Sequence, residues 1–122
     1  MGTFSVKMRL FPCQFPNGQK PVDVDALVDC GSFYSWAPAS ILRKLGVKPI
    51  ETVKGELADG TVITKKAGEV KVEVQGKWVT TRIIFGDEGT EPLLGAYTLE
   101  GLGFEVRPRD KRLVPIKIFP IK

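Results

Sequence analysis

Ala26-Leu27-Val28-Asp29-Cys30-Gly31-Ser32 decides how this chain is read: an apolar run closes on a carboxylate, and a turn follows at once. Upstream, Val22-Asp23-Val24-Asp25 alternates apolar and acidic residues with a period of two, which marks a strand with one face in a core. Asp29 therefore stands at a strand end. A carboxylate there either closes the turn by accepting a nearby backbone N–H or does chemistry, and the turn role is the commoner fate.

Composition removes most of the alternatives. The chain has 122 residues and no histidine, so neither a Ser-His-Asp nor a Cys-His catalytic arrangement can be built from it. Cys13 and Cys30 alone form no disulfide framework and no usual zinc site, and a Gly-rich phosphate loop with its lysine is missing. No cofactor or metal is expected, and carboxylates are the remaining acid and base. The length suits one compact domain over residues 1–122 with a modest core. No apolar run approaches the roughly 20 residues that span a bilayer, and Met1-Gly2-Thr3-Phe4-Ser5-Val6-Lys7 lacks a signal-peptide apolar region. Val6 stands where a myristoylation motif requires Ser or Thr, so a cytoplasmic protein without membrane contact is expected. The net charge of +4 includes a cluster at Arg107, Arg109, Lys111 and Arg112, which reads as a solvated surface before it reads as a nucleic-acid site.

Periodicity and turn residues place the elements. Pro38 starts a short helix running to about Leu45, with Ile41, Leu42 and Leu45 on one face and Gly46 at its C-terminal cap. In Gly55-Glu56-Leu57-Ala58-Asp59-Gly60-Thr61-Val62-Ile63 the Asp-Gly pair predicts a tight hairpin with its tip in solvent. A second hairpin is expected from Val70–Val74 through Gln75-Gly76-Lys77 to Trp78–Phe85. Residues 86–92 read as a polar loop, Leu93-Leu94-Gly95 as a short apolar run, and Tyr97–Leu102 as a second helix stopped by Gly103. Phe104-Glu105-Val106 and Leu113-Val114-Pro115-Ile116 read as closing strands, which makes the chain predominantly β.

The order of these parts, from strand and Asp29-Cys30-Gly31-Ser32 through helix, hairpin tip, long hairpin and Leu93-Leu94-Gly95 to the late helix, resembles the retropepsin-like aspartic proteases over about Val22 to Val106. The resemblance implies an all-β fold, a closed β-barrel with two short helices and one lobe per chain. It makes Asp29 the catalytic aspartate, Gly31 the residue that lets substrate backbone approach, and Ser32 the small residue beside it. Ala58, Asp59 and Gly60 become the tip of a substrate-covering flap, and Leu93, Leu94 and Gly95 the buried support of the active loop. Two carboxylates about 3 Å apart share one proton, so one acts as base toward water and the other as acid toward the scissile carbonyl. Only Asp29 begins an Asp-x-Gly directly after an apolar run, so the resemblance implies a homodimer, each chain bringing half of a site that cleaves peptide or unfolded protein. Strand-like Phe4-Ser5-Val6 and Ile116-Lys117-Ile118-Phe119, limited by Pro115 and Pro120, are expected as free edges that pair between subunits.

The chain departs from the family at three points. Cys30 replaces the usual Thr or Ser, whose hydroxyl braces the two active loops across the dimer; a thiol is a weaker donor, and a small buried thiol is expected there. Phe33 and Ala96 stand where viral members carry a charged pair, and both ends are gone together, which can be nearly neutral. The helix from Pro38 is longer than in viral members, as in cellular and prokaryotic relatives. Trp36 and Trp78 are expected in core or interface packing. Two other functions are compatible with these residues: a catalytically weak or inactive peptide-binding scaffold of the same fold, and a basic β-barrel that binds nucleic acid.

Overall fold

The computed structural model describes residues 3–13, 20–117 and 121. Along the chain run β1 (Ser5–Pro12), β2 (Val22–Asp29), β3 (Ser35–Pro38), α1 (Ala39–Lys44), β4 (Glu51–Glu56), β5 (Val62–Val74), β6 (Lys77–Gly86), β7 (Leu93–Gly95), α2 (Ala96–Leu102), β8 (Phe104–Arg107) and β9 (Arg112–Pro115). Hydrogen-bonded neighbours follow the order β1-β2-β7-β3-β6-β5-β4, and β1 also pairs with β5. That last pairing closes six strands into a barrel and leaves β4 outside it, attached to β5 alone.

Closure depends on the long strand β5. Its Val62–Ala67 half pairs with β4, while Val70–Glu73 pairs with Phe11 and its neighbours in β1, so one strand serves both the barrel wall and the hairpin beyond it. Met8 and Leu10 of β1, Ala26 and Val28 of β2, Val70 and Val72 of β5 and Ile83 of β6 point inward on the period-two face and are buried, together with Leu42 of α1 and Leu94 of β7. At about 25 cal/mol per Å² of apolar surface removed from water, each large side chain in this set stabilises the fold by about 2 kcal/mol.

The helices match expectation within a residue or two. Pro38 ends β3 and caps α1 with φ −57, a value its ring already imposes. Gly46 donates to the Arg43 carbonyl and Val47 to the Leu42 carbonyl, which closes the helix. Gly103, left-handed at φ 81, ends α2.

Ser5 and Val6 pair with Leu27 and Ala26 of β2, and Val28 donates to the Phe4 carbonyl, so one edge of Phe4-Ser5-Val6 is taken within the chain, while the pairing of β1 with β5 begins only at Arg9. Two expectations need correction. Phe104–Val106 and Leu113–Pro115 form a separate two-stranded hairpin outside the barrel sheet. Ile116 donates to the Gly103 carbonyl, while Ile118, Phe119 and Pro120 lie outside the described residues. Trp78 is 51% exposed and stacks on Phe11 with centroids 4.9 Å apart; it is not a core residue.

Candidate active site

The carboxylate is placed by β2 and held by its own turn. Asp29 is the last residue of β2, and its register partner across a parallel pairing is Gly95, the last residue of β7. Asp29 Oδ1 accepts the Gly31 N–H at 2.9 Å, and the Asp29 carbonyl accepts the Ser32 N–H at 3.2 Å. The bond to Gly31 is the turn bond foreseen for an aspartate at this place, and it orients one carboxylate oxygen while the half-buried side chain still reaches solvent. A Cβ on Gly31 would sit 3.2 Å from Asp29 Oδ1, close enough that the carboxylate would have to shift by a few tenths of an ångström to admit it.

Behind the turn lies Leu93-Leu94-Gly95, the run expected to support it. Leu94 is fully buried, and β7 lies between β2 and β3, with Leu93 opposite both Leu27 and Trp36. A Cβ at Gly95 would run into the Tyr34 carbonyl and stand 2.8 Å from that of Ser32, so only glycine lets these segments cross. The start of α2 is then tied to the active loop by Ala96 N–H to the Ser32 carbonyl at 2.8 Å and Tyr97 N–H to the Phe33 carbonyl at 3.0 Å.

A buried hydroxyl chain completes this junction, and the sequence reading missed it. Ser35 Oγ accepts the Gly95 N–H at 3.0 Å and lies 2.7 Å from Thr98 Oγ1, which lies 2.9 Å from Thr81 Oγ1. Ser35 and Thr98 are fully buried, so the chain joins β3, β6, β7 and α2 where water cannot substitute. The sequence signal for them is weak: each is a small polar residue in an apolar context, as surface hydroxyls also are.

Cys30 is exposed in the single chain and unbonded to any other cysteine, where a buried thiol was expected. Phe33, 58% exposed, packs against Tyr34 and Tyr97. Phe33 thus sits in a cluster of three rings.

Ala58, Asp59 and Gly60 form the exposed end of the β4–β5 hairpin. The Gly60 N–H donates to the Leu57 carbonyl, the Leu57 N–H to the Thr61 carbonyl, and the Thr61 N–H to Asp59 Oδ1 at 2.9 Å; Gly60 at φ 87 supplies the left-handed residue such a turn needs. Hydrogen bonds from Thr61, side chain first, hold the Asp59 carboxyl below its ordinary value. The tip's hydrogen bonds stay within the hairpin. Its arms instead meet the segment after the active loop: Val53, Gly55 and Ile63 face Tyr34, Trp36 and Ile84 around an apolar cavity of about 40 Å³. Trp36, expected in packing, therefore lines a small cleft. Arg82 approaches the Tyr34 hydroxyl at 3.5 Å and Glu51 at 3.2 Å, and these partners, Tyr34 first, raise its pKa further.

A second Asp-x-Gly, Asp87-Glu88-Gly89, does not supply the missing carboxylate. Asp87 pairs with Lys65 at 2.9 Å, and Glu88 accepts the Ser40 hydroxyl and N–H at the start of α1. Among the described residues no group of three or more His, Cys, Asp or Glu side chains converges as a metal site would, and no helix is long and apolar enough to cross a membrane.

A six-stranded barrel with a strand-end Asp-x-Gly crossed by an apolar-apolar-Gly segment defines a retropepsin-like aspartic protease lobe. The Aspartyl protease family matches residues 11–98, most of the chain, and the chain belongs to that family in its retropepsin-like form. The solution structure of Simian Foamy Virus (mac) protease has the same fold: TM-score 0.56 at 17% identity, covering 79% of this chain and 91% of that one. No curated protein sequence matches the chain.

Proposed function

We propose that the protein is an aspartic endopeptidase that acts as a homodimer, residues 1–122 forming one domain and contributing one lobe with Asp29 as its half of the catalytic pair. The observation that carries this reading is the Asp29 turn: one carboxylate oxygen is fixed by the Gly31 N–H in a residue that stays only half-buried.

Two such carboxylates brought together by a two-fold axis would share a proton, because two charges that close cannot both ionise. The ionised member takes a proton from a water as its oxygen attacks the scissile carbonyl carbon, and the protonated member donates to the carbonyl oxygen. The resulting tetrahedral adduct collapses by breaking the C–N bond. The proton just gained by one carboxyl passes to the amine, and a diol hydroxyl returns a proton to the other. The pair titrates as a unit, so neither Asp29 has a fixed role.

Substrate would lie extended between the hairpin and the active loops as an added strand. Gly31 and Ser32 give its backbone room, Ala58, Asp59 and Gly60 close over it as a flap, and Cys30, Leu93, Leu94 and Gly95 support the loop from beside and below. The partners are a second copy and a peptide or unfolded protein, without nucleic acid or membrane, in the cytoplasm.

The test is hydrolysis of a denatured protein at mildly acidic pH, roughly 4 to 6. Activity abolished by Asp29→Asn and by a statine-type inhibitor supports the reading. Cys30, a weak donor where the family has a hydroxyl, favours one alternative, a peptide-binding scaffold. Peptide binding without cleavage over long incubation identifies it.

A further inference from the structure

Phe33 and Tyr97 are large aromatic side chains, 58% and 46% exposed, with ring centroids 5.4 Å apart; Tyr34 packs edge-on against Phe33 at 4.9 Å. Exposure of this kind in a fixed place is uncommon for a solvated surface. The place is fixed: the Tyr97 N–H bonds the Phe33 carbonyl and the Ala96 N–H that of Ser32, so loop and helix start carry the rings as one unit.

We propose that this aromatic cluster is the central contact between two copies of the chain; the proposal rests on the dimeric reading of the active site. Distance supports it first. Phe33 lies four residues beyond Asp29, at most about 14 Å of chain, and Tyr97 two residues beyond Gly95, the register partner of Asp29. An axis that unites two Asp29 carboxylates cannot pass far from either ring.

Charge supports it next. Two copies of a chain carrying +4 repel wherever their like charges face each other. The segments that hold the cluster carry none: no Asp, Glu, Lys or Arg occurs from Cys30 to Leu42 or from Pro92 to Leu99. The Arg82–Glu51 pair stands at the edge, beside the Tyr34 hydroxyl. An uncharged aromatic centre with a charged rim is the anatomy of a protein interface, and Tyr and Phe are enriched at such centres.

Sedimentation equilibrium of the full chain tests this with Phe33→Ser, Tyr97→Ser and a control, Trp78→Ser, which removes an exposed ring on the β5–β6 hairpin. Two-fold symmetry removes each ring twice, so either cluster variant should raise the dimer Kd on the order of 100-fold, while Trp78→Ser leaves it unchanged. An unaltered Kd in both cluster variants with peptidase activity intact overturns the aromatic contact and leaves the peptidase reading standing. Equal weakening by Trp78→Ser also overturns it. A wild-type chain that is monomeric at every concentration and inactive overturns both readings. Should the variants not fold, hydroxyl-radical footprinting of the unaltered protein gives the same decision. Phe33 and Tyr97 should be protected in concentrated relative to dilute solution; oxidation that is independent of concentration, or protection appearing only on addition of peptide, overturns the proposal.

Discussion

Ser35 shows how much a single hydroxyl can hold at the residue scale. Its Oγ accepts the Gly95 N–H and contacts Thr98, all away from water, so Ser35→Ala leaves a buried donor unmatched. A loss of about 1 to 3 kcal/mol in urea-unfolding stability is expected, whereas Ser40→Ala, whose exposed hydroxyl meets only Glu88, should cost well under 1 kcal/mol. Equal costs would mean that the buried chain is not supporting the junction. Gly95→Ala should be worse than Ser35→Ala: its methyl meets the Tyr34 and Ser32 carbonyls, which are backbone and cannot rotate away. Overpacking of this kind costs about 3 kcal/mol or more, and a variant as stable as wild type would show that β7 and the loop separate freely.

At the scale of elements, the β4–β5 hairpin is held at its tip by the Asp59 carboxylate, which accepts the Thr61 N–H. Hydrogen bonds from Thr61 lower the Asp59 pKa, so its stabilising contribution is fully present above the ordinary carboxylate value of 3.8 and is lost as pH falls through the lower folded value. The tip should therefore stay closed at the roughly pH 4 to 6 of the peptidase test and loosen only at lower pH. Carbon-detected NMR titration of Asp59 should give a midpoint under 3.8, with the Thr61 amide shift following it; a midpoint at or above that value would remove the acid-stable tip. The sequence made this hairpin legible, because Asp-Gly between apolar Leu57-Ala58 and β-branched Thr61-Val62 specifies the turn locally. It did not disclose that β5 runs unbroken from Val62 to Val74 and is shared by hairpin and barrel. Lys65, Lys66 and Ala67 lack a clear alternation, and the pairing of all three with β4, and of Ala67 also with β6, overrides their local preference.

Half of a site per chain gives a quantitative expectation at the scale of the whole molecule. When wild type and Asp29→Asn are mixed in equal amounts and allowed to exchange subunits, about one quarter of the dimers carry two aspartates. Peptidase activity should therefore fall to about one quarter of that of the same total amount of wild type; a fall to only one half would mean that each chain works alone. Cys30 offers a second readout, since its thiol is exposed in the single chain and sits beside the Asp29 that must meet its copy. In a Cys13→Ser background, a thiol reagent should modify Cys30 readily in dilute solution and slowly at concentrations that favour the dimer. Equal rates at both would place Cys30 away from the contact.

The sequence by itself determined what is local or a matter of elimination. Alternation into Asp29, the Asp-Gly turn, the glycine stops at Gly46 and Gly103 and the absence of histidine act through neighbours along the chain or through composition. The resemblance carried by those parts then pointed to the barrel. Only the tertiary structure decided which groups meet across long separations: Ser35 with Thr98, Gly95 beneath Tyr34, Phe33 beside Tyr97, and Phe4–Val6 paired along one edge with β2. Cys30 was misjudged for the same reason. Whether a small thiol is buried depends on which surface the folded loop turns toward solvent, and no spacing along the chain encodes that.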